Sequence, residues 1–222
     1  MKYADEIKPD VAPGDTSTRD ATTRDALLAA ARAAFAEHGY DAASVRTITA
    51  AANANLGAIT YHFGSKRALY EAVVEAAIAP LAERLTGVVG SSLPALERVG
   101  AVVRGMFEHF EAHPEAPRLM LQELANGRSL PEAAQRHMGR LFGALTSLVE
   151  QGQAEGAMRA GEPRLMALTI IAHPVHANLF RSVLRGIAGV DLADAVVRAR
   201  VIANAEAFVR GGLAAWPQGG RG

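Results

Sequence analysis

The chain has 222 residues, half of them hydrophobic and 5% aromatic, and its 23 basic and 23 acidic residues give a formal net charge of zero. The overall charge therefore points to no polyanionic partner, and the absence of cysteine excludes disulfides, thiol nucleophiles and cysteine-ligated zinc. No apolar run approaches the roughly 20 residues needed to span a bilayer, and the N-terminal stretch lacks the apolar core of a signal peptide. We expect a cytoplasmic protein.

The N-terminal part of the chain predicts a polar arm followed by one helix. Residues 1–17 contain two prolines and a glycine and little to bury, which favours a flexible arm. The first helix should start near Thr18 or Thr22 and end at His38, where Gly39 can adopt the left-handed conformation that terminates helices. Apolar residues recur along it at spacings of three and four, which indicates one buried face. They are Leu27, Leu28, Ala31, Ala34 and Phe35.

Two short helices should follow. Ser44 is a suitable N-cap for the first, which carries apolar residues at Val45, Ile48 and Ala52. Asn55 is a suitable N-cap for the second, over residues 56–63. The connection between them contains Asn53, and asparagine tolerates the positive φ that a tight turn can demand.

The rest of the chain predicts further helices and no strand. After a break at Gly64 and Ser65, the helices are expected at about 66–85, 94–112, 116–126, 132–155, 162–186 and 191–212. Pro174 should interrupt and kink the fifth of these, and Asp191 should cap the last. The fold class is predicted to be all-α. Residues 217–222 are expected to form a flexible tail.

The two short helices and the helix before them have the arrangement of a helix-turn-helix unit, whose second helix enters the major groove of DNA. Ile59 and Phe63 are the predicted inward anchors of that second helix. Its outward residues should be small or able to form hydrogen bonds with phosphates or bases. They are Leu56, Gly57, Thr60, Tyr61 and His62.

Further contacts are expected beside the second helix. Ser44, Arg46 and Thr47 lie in the first turn of the preceding helix, where free amides and an arginine can hold phosphate, and Lys66 opens the following helix. Residues 19–67 include six basic and four acidic residues. A surplus of two charges is modest, so DNA binding should require a dimer and weaken as salt rises.

The stretch TRDALLAAARAAFAEHGYDAASVRTITAAANANLGAITYHFGSKRALYEAV resembles the DNA-binding domain of the TetR family of transcriptional regulators. Its segment ANLGAITYHFGSKRALY is similar to the CecR-like branch. Asn53 departs from the family, where glycine is common, and Thr60 replaces a frequent aromatic residue, which bears on the base contacts. With Asn55 added, the residues expected at the operator are Ser44, Arg46, Thr47, Asn55, Leu56, Gly57, Thr60, Tyr61, His62 and Lys66.

The resemblance implies a helix-turn-helix domain over residues 18–65 and a larger helical domain over 66–216 for ligand binding and dimerisation. In that family the last two helices of each subunit form a four-helix interface, here at about 164–186 and 191–214. The last helix carries an apolar stripe that fits an interface, although each of its residues could equally face its own subunit's core. The stripe consists of Val196, Val197, Val201, Ala205, Phe208 and Val209.

An effector pocket should be apolar with few polar groups, and methionine suits a permissive one. A set of methionines and phenylalanines at this spacing is also typical of plain core. The candidates are Met106, Phe107, Phe110, Met120, Leu124, Leu145, Met166, His173, His176 and Phe180. Histidines also pair at 109/113 and 173/176, but no third ligand, cysteine or HExxH pattern accompanies them, so neither a metal site nor another cofactor is predicted.

The sequence thus predicts a homodimeric repressor released from a palindromic operator by an apolar small molecule. A ligand-responsive activator and a helical dimeric adaptor that binds protein instead of DNA are the alternatives. An enzyme is not expected, because the chain has no glycine-rich phosphate loop, no GxSxG elbow and no clear pair of nucleophile and base.

Overall fold

The computed structural model describes residues 13–125, 127 and 129–216, with the backbone alone for residues 13–19, 123 and 124. Over these residues the chain forms ten α-helices and no β-strand, which confirms the all-α prediction. The helices are α1 (Pro13–Ala42), α2 (Val45–Ala51), α3 (Ala58–Phe63), α4 (Lys66–Val89), α5 (Ala95–Ala112), α6 (Ala116–Ala125), α7 (Glu132–Ala154), α8 (Pro163–Leu179), α9 (Arg181–Ala188) and α10 (Ala195–Leu213). None of the described helices has the length and apolar character needed to cross a membrane.

The chain forms two compact units that divide between Val73 and Val74, within α4. The predicted boundary between residues 65 and 66 lies instead at the start of α4.

Of the predicted arm, residues 1–12 lie outside the described residues, as do residues 217–222 of the predicted tail. Residues 13–17, which were assigned to the arm, are helical. Pro13 explains the earlier start, because proline at the first helical position loses no hydrogen bond and has a suitable φ.

The first unit is built on the buried face of α1, as the periodicity predicts. Leu27, Ala31 and Phe35 are fully buried there. The Phe35 ring meets the Tyr70 ring edge-on at 5.0 Å, and the Tyr40 ring lies 5.1 Å from Tyr70. Gly39 interrupts α1 with φ 77°, so its backbone adopts the positive φ expected of it. The three aromatic rings thereby fix the end of α1 against the start of α4.

The second unit is centred on α5, which packs against α7, α8 and α10. Its buried face includes Val99, Val103 and Phe110. The Arg104 guanidinium donates two hydrogen bonds to the Glu206 carboxylate, at 2.7 and 2.8 Å, and so joins α5 to α10. These bonds raise the pKa of Arg104 above its already high ordinary value.

The structure corrects the two predictions made for the last helices. The sequence predicts an interruption at Pro174, but α8 continues through that residue to Leu179, and the break lies at Phe180 between α8 and α9. The Asn178 side chain donates to the Pro174 carbonyl oxygen at 2.9 Å and competes with the backbone ladder in the last turn. Asp194, not Asp191, caps α10.

The cap of α10 is set by two backbone hydrogen bonds. The Asp194 carboxylate accepts from the amides of Val196 and Val197, at 2.8 and 3.0 Å, and these bonds lower the pKa of Asp194. Asp191 instead accepts from the Ala193 amide, at 2.9 Å, in the preceding turn. Both aspartates therefore bond to backbone amides two residues further on, but only the second does so at the start of a helix.

Candidate nucleic-acid interface

The first turn of α2 presents three exposed polar residues. Ser44 is the N-cap, and its hydroxyl oxygen accepts from the Thr47 amide at 3.0 Å while the two hydroxyls lie 2.7 Å apart. Behind this turn, Ile48 is fully buried. The cap and the buried anchor hold Arg46 on the exposed side of α2.

The connection between α2 and α3 covers residues 52–57. Asn53 has φ 52°, the conformation predicted for it, and is the non-glycine residue with positive φ in the described part of the chain. Asn55 is not the N-cap of α3, because Gly57 occupies that position without a side-chain bond. The Asn55 carbonyl oxygen accepts from the Ala58 amide at 3.1 Å, so its backbone closes the turn before the helix. Leu56 and Gly57 consequently lie in the turn and not in α3.

The helix α3 has one anchored side and one exposed side. Ile59 is 2% exposed and fixes the helix to the core of the first unit, whereas Phe63 is only half-buried. On the other side Tyr61 is 74% exposed and Thr60 is also exposed, and Leu56 in the turn is 54% exposed. His62 is half-buried, and its ring meets the Tyr61 ring edge-on at 4.8 Å.

Lys66 opens α4 and is held by two contacts. Its ammonium lies 4.7 Å from the centre of the Tyr40 ring, and it donates to the Asp41 carbonyl oxygen at 3.4 Å. Arg67, the next residue, pairs with Glu71 at 2.8 Å. The sequence did not single out Tyr40, which lies below the Lys66 charge and restricts where it can point.

Two residues of α1 that the sequence did not single out contact α3. The Tyr61 hydroxyl donates to the Asp20 carboxylate at 3.2 Å, and the Arg24 guanidinium lies 5.0 Å from the centre of the Phe63 ring. Asp20, Arg24 and Leu27 are separated by four and three residues, so all three lie on the same face of α1. This spacing was the feature of the sequence from which the two contacts could have been predicted. The cleft bordered by this contact is lined by Asp20, Thr23, Asn53, Ala54, Asn55, Gly57, Ala58, Tyr61 and His62.

The predicted effector residues fall into two groups in the second unit. Met106, Phe107, Phe110, Leu145 and Met166 are buried, and Met120 is half-buried, whereas the Leu124 side chain lies outside the described part of the structure. His173 is half-buried and His176 and Phe180 are exposed. With Met166, the two histidines line a cleft of about 520 Å³ between α8 and α10. Phe180 lines a neighbouring cleft that shares both histidines.

The predicted interface stripe on α10 is divided between core and surface. Ala205 and Val209 are buried in their own subunit, Val197 and Val201 are half-buried, and Phe208 and Val196 are each 70% exposed. Other large apolar residues are exposed on α8, on α9 and at the break between them. They are Leu165, Leu168, Phe180, Val183 and Ile187. We call these five residues, with Val196 and Phe208, the apolar surface of α8–α10.

His109 and His113, one of the two histidine pairs, contact each other in the second unit. The rings of His109 and His113 are 4.8 Å apart, and His109 Nε2 lies 3.2 Å from the Ala77 carbonyl oxygen. Burial lowers the pKa of His109 and thereby favours its neutral form. Among the described residues, no three histidine or carboxylate side chains are grouped to hold a metal ion.

Comparisons with known proteins agree with this arrangement. Residues 27–73 match the family model for bacterial regulatory proteins of the tetR family, and residues 96–209 match that for the tetracyclin repressor-like C-terminal domain. The HTH-type transcriptional repressor AcnR of Corynebacterium glutamicum is 41% identical over 73 residues, which cover 33% of this chain and 37% of that protein. The AcnR of Corynebacterium efficiens is 37% identical over 89 residues, covering 39% of this chain and 42% of its own.

These two matches span about two fifths of the curated repressors' length.

Solved structures resemble the chain over most of its length. The ketosteroid transcriptional regulator KstR2 of Mycobacterium tuberculosis has a TM-score of 0.71 at 22% identity, over 86% of this chain and 94% of its own. A TetR family transcription regulator of Marinobacter aquaeolei gives 0.72 at 20% identity, over 90% and 100%.

Proposed function

This chain belongs to the tetR family of bacterial regulatory proteins, and we propose that it is a homodimeric repressor that holds palindromic operator DNA until a small apolar effector binds. Family membership makes it a transcriptional regulator and not an enzyme. The observation that carries the proposal is the two-sided character of α3, which is anchored by a buried Ile59 and exposes Thr60 and Tyr61. The repressing sign is supported by the AcnR repressors.

The proposed DNA contacts are of two kinds. Arg46 on α2 and Lys66 on α4 supply positive charge beside α3, and phosphate contacts of this kind dominate affinity without reading sequence. The exposed residues of α3 and of the turn before it would face base edges in the major groove. Because the whole chain has no net charge, we expect a single subunit to bind DNA weakly. The two subunits of a dimer should together bind an inverted repeat.

The proposed dimer forms through α8 and α10. Phe208, Val196 and Leu168 belong to the apolar surface of α8–α10, and each is more than half exposed in the single subunit. Large apolar side chains exposed on neighbouring helices favour an interaction site, and a symmetric pair would bury the same residues on both subunits.

The proposed effector acts through the helices that contact α5. Met106, Phe107 and Phe110 lie on the buried face of α5, and α5 contacts both α8 and α10. A molecule accommodated among these side chains would displace helices that we assign to the dimer interface. It would thereby shift the population toward dimers whose two DNA-binding units no longer match both half-sites. A coupling on the order of 1–3 kcal/mol is enough.

The test is a fluorescence-anisotropy titration of the full chain against the promoter DNA beside its own gene, with Tyr61→Ala, Lys66→Ala and Arg140→Ala in parallel. Arg140 is the matched control, because it is an exposed cation on α7 of the second unit. We expect tight, salt-sensitive binding that the first two substitutions weaken and the third leaves unchanged. Equal binding by all four proteins, or no sequence-selective binding, would contradict the proposal. A saturating effector that left the operator affinity unchanged would contradict its regulatory part.

A further inference from the structure

The contact between Tyr61 and Asp20 fixes the direction of a hydrogen bond at the exposed side of α3. The Tyr61 hydroxyl lies 3.2 Å from the Asp20 carboxylate oxygen. An ionised carboxylate can only accept, whereas a phenol carries one donor hydrogen and acceptor lone pairs. The phenolic hydrogen is therefore directed at Asp20, and only the lone pairs of the hydroxyl remain for another partner.

This direction determines which part of a DNA duplex the hydroxyl can bind. Phosphate oxygens are acceptors and need a donor, so a hydroxyl whose hydrogen is engaged by Asp20 cannot bond to them. In the major groove the donors are the exocyclic amino groups, N4 of cytosine and N6 of adenine. Asp20 also carries a negative charge close to the hydroxyl, which repels any phosphate that approaches it.

The surroundings of Tyr61 permit such a contact. Its side chain is 74% exposed even though its hydroxyl is engaged by α1. Gly57, one turn before it, is also exposed and presents no side chain to a neighbouring surface. Base edges can thus come close to α3 on the side that carries Tyr61.

We propose that Asp20 is a positioning residue that makes Tyr61 a hydrogen-bond acceptor, so that Tyr61 reads an exocyclic amino group of cytosine or adenine and not a phosphate. The inference rests on the proposed DNA-binding function and adds to it a residue that determines specificity. Asp20 thereby contributes to sequence preference although its negative charge opposes DNA binding in general.

The experiment first selects the preferred duplex of the full-length wild-type chain from a random library. The affinity for every single base-pair change in that duplex is then measured by competition anisotropy. The same series is measured for Tyr61→Phe, Asp20→Ala, the double variant and Asp25→Ala. Asp25 is the matched control, because it is an exposed aspartate on α1 whose removal changes the charge equally. Thermal melts of each protein check that the fold is retained.

We expect Tyr61→Phe and Asp20→Ala to reduce the preference at the same base-pair position in each half-site by about three- to tenfold, the range of a single hydrogen bond. The double variant should lose no more than Tyr61→Phe alone, and Asp25→Ala should keep the full preference. Whether cytosine or adenine is read follows from the base pair that is affected. Asp20→Ala should also bind all duplexes more tightly, as Asp25→Ala does, because each removes one negative charge.

Two results would overturn the inference while the proposed function stands. One is a uniform loss of affinity for all duplexes in Tyr61→Phe, which would assign the hydroxyl to a phosphate. The other is identical behaviour of Asp20→Ala and Asp25→Ala. Failure of the wild-type chain to enrich any sequence would instead refute the proposed function, and the inference with it.

Discussion

Replacing Phe208 with alanine should dissociate the proposed dimer without unfolding the subunit. Phe208 lies on α10 and is 70% exposed in the single subunit. Its ring lies 5.7 Å from that of His173 on α8, so it stands at the junction of the two helices assigned to the interface. Little of its surface contributes to the core of its own subunit.

The size of the effect follows from the exposed area. A large aromatic side chain removes about 150–250 Å² from water when it is buried, and 70% of that is about 100–175 Å² for Phe208. At about 25 cal/mol per Å² this is roughly 2.5–4 kcal/mol for each subunit. Each 1.4 kcal/mol changes a dissociation constant tenfold. Because binding costs offset part of the gain, we expect the dimer Kd to rise at least about 50-fold.

The neighbouring residue provides a matched control. Val209 is 5% exposed and packs inside the subunit, so Val209→Ala should lower the free energy of unfolding by about 2 kcal/mol and leave dimerisation nearly unchanged. Sedimentation velocity over a dilution series measures the dimer Kd of both variants, and thermal melts measure their stability.

A wild-type dimer Kd in Phe208→Ala would show that this side chain lies outside the dimer interface. Loss of the folded monomer would also contradict the interface role, because Phe208 would then be a core residue; a lower melting temperature alone would not, since loss of the dimer itself lowers it. Loss of the dimer in Val209→Ala alone would place the interface on the opposite side of α10.

Three further predictions concern stability. Asp194→Ala should destabilise α10 at neutral pH. Since the folded-state pKa of Asp194 is lowered, the difference in melting temperature between wild type and variant should shrink as pH falls through that pKa. A difference that stays constant with pH would show that the ionised carboxylate does not stabilise the helix. Burial lowers the pKa of His109, so the wild type should lose stability as pH falls below the ordinary histidine value of about 6.5, and His109→Gln should remove part of this loss; identical pH profiles would contradict that. Gly152→Ala places a Cβ 2.7 Å from Met158 Cγ and should cost about 1–3 kcal/mol in a denaturant titration, whereas the exposed Gly143→Ala, with nothing near its Cβ, should not destabilise the fold.

Local backbone chemistry explains what could be predicted from the sequence. Gly39 and Asn53 were expected to adopt positive φ and do so, and Ser44 caps α2, because each of these features depends on a few adjacent residues. The helical periodicity of α1 likewise identified Leu27 and Phe35 as buried.

Tertiary contacts explain what could not be predicted. Asp191 and Asp194 are equally good capping residues, and only the path of the chain decides between them. Asp20 and Tyr61 are separated by 41 positions, so no local pattern pairs them. Pro174 lacks a backbone N–H, yet it is buried within α8, which continues through it to Leu179.

Two copies of this chain are proposed to bind one DNA duplex, and selection of bound duplexes from a random library by the full-length protein measures whether they do. We expect enrichment of an inverted repeat whose half-site centres lie about one helical turn, or a multiple of it, apart. Enrichment of a single asymmetric half-site, or of no sequence, would instead show that the chain does not recognise DNA as a symmetric dimer.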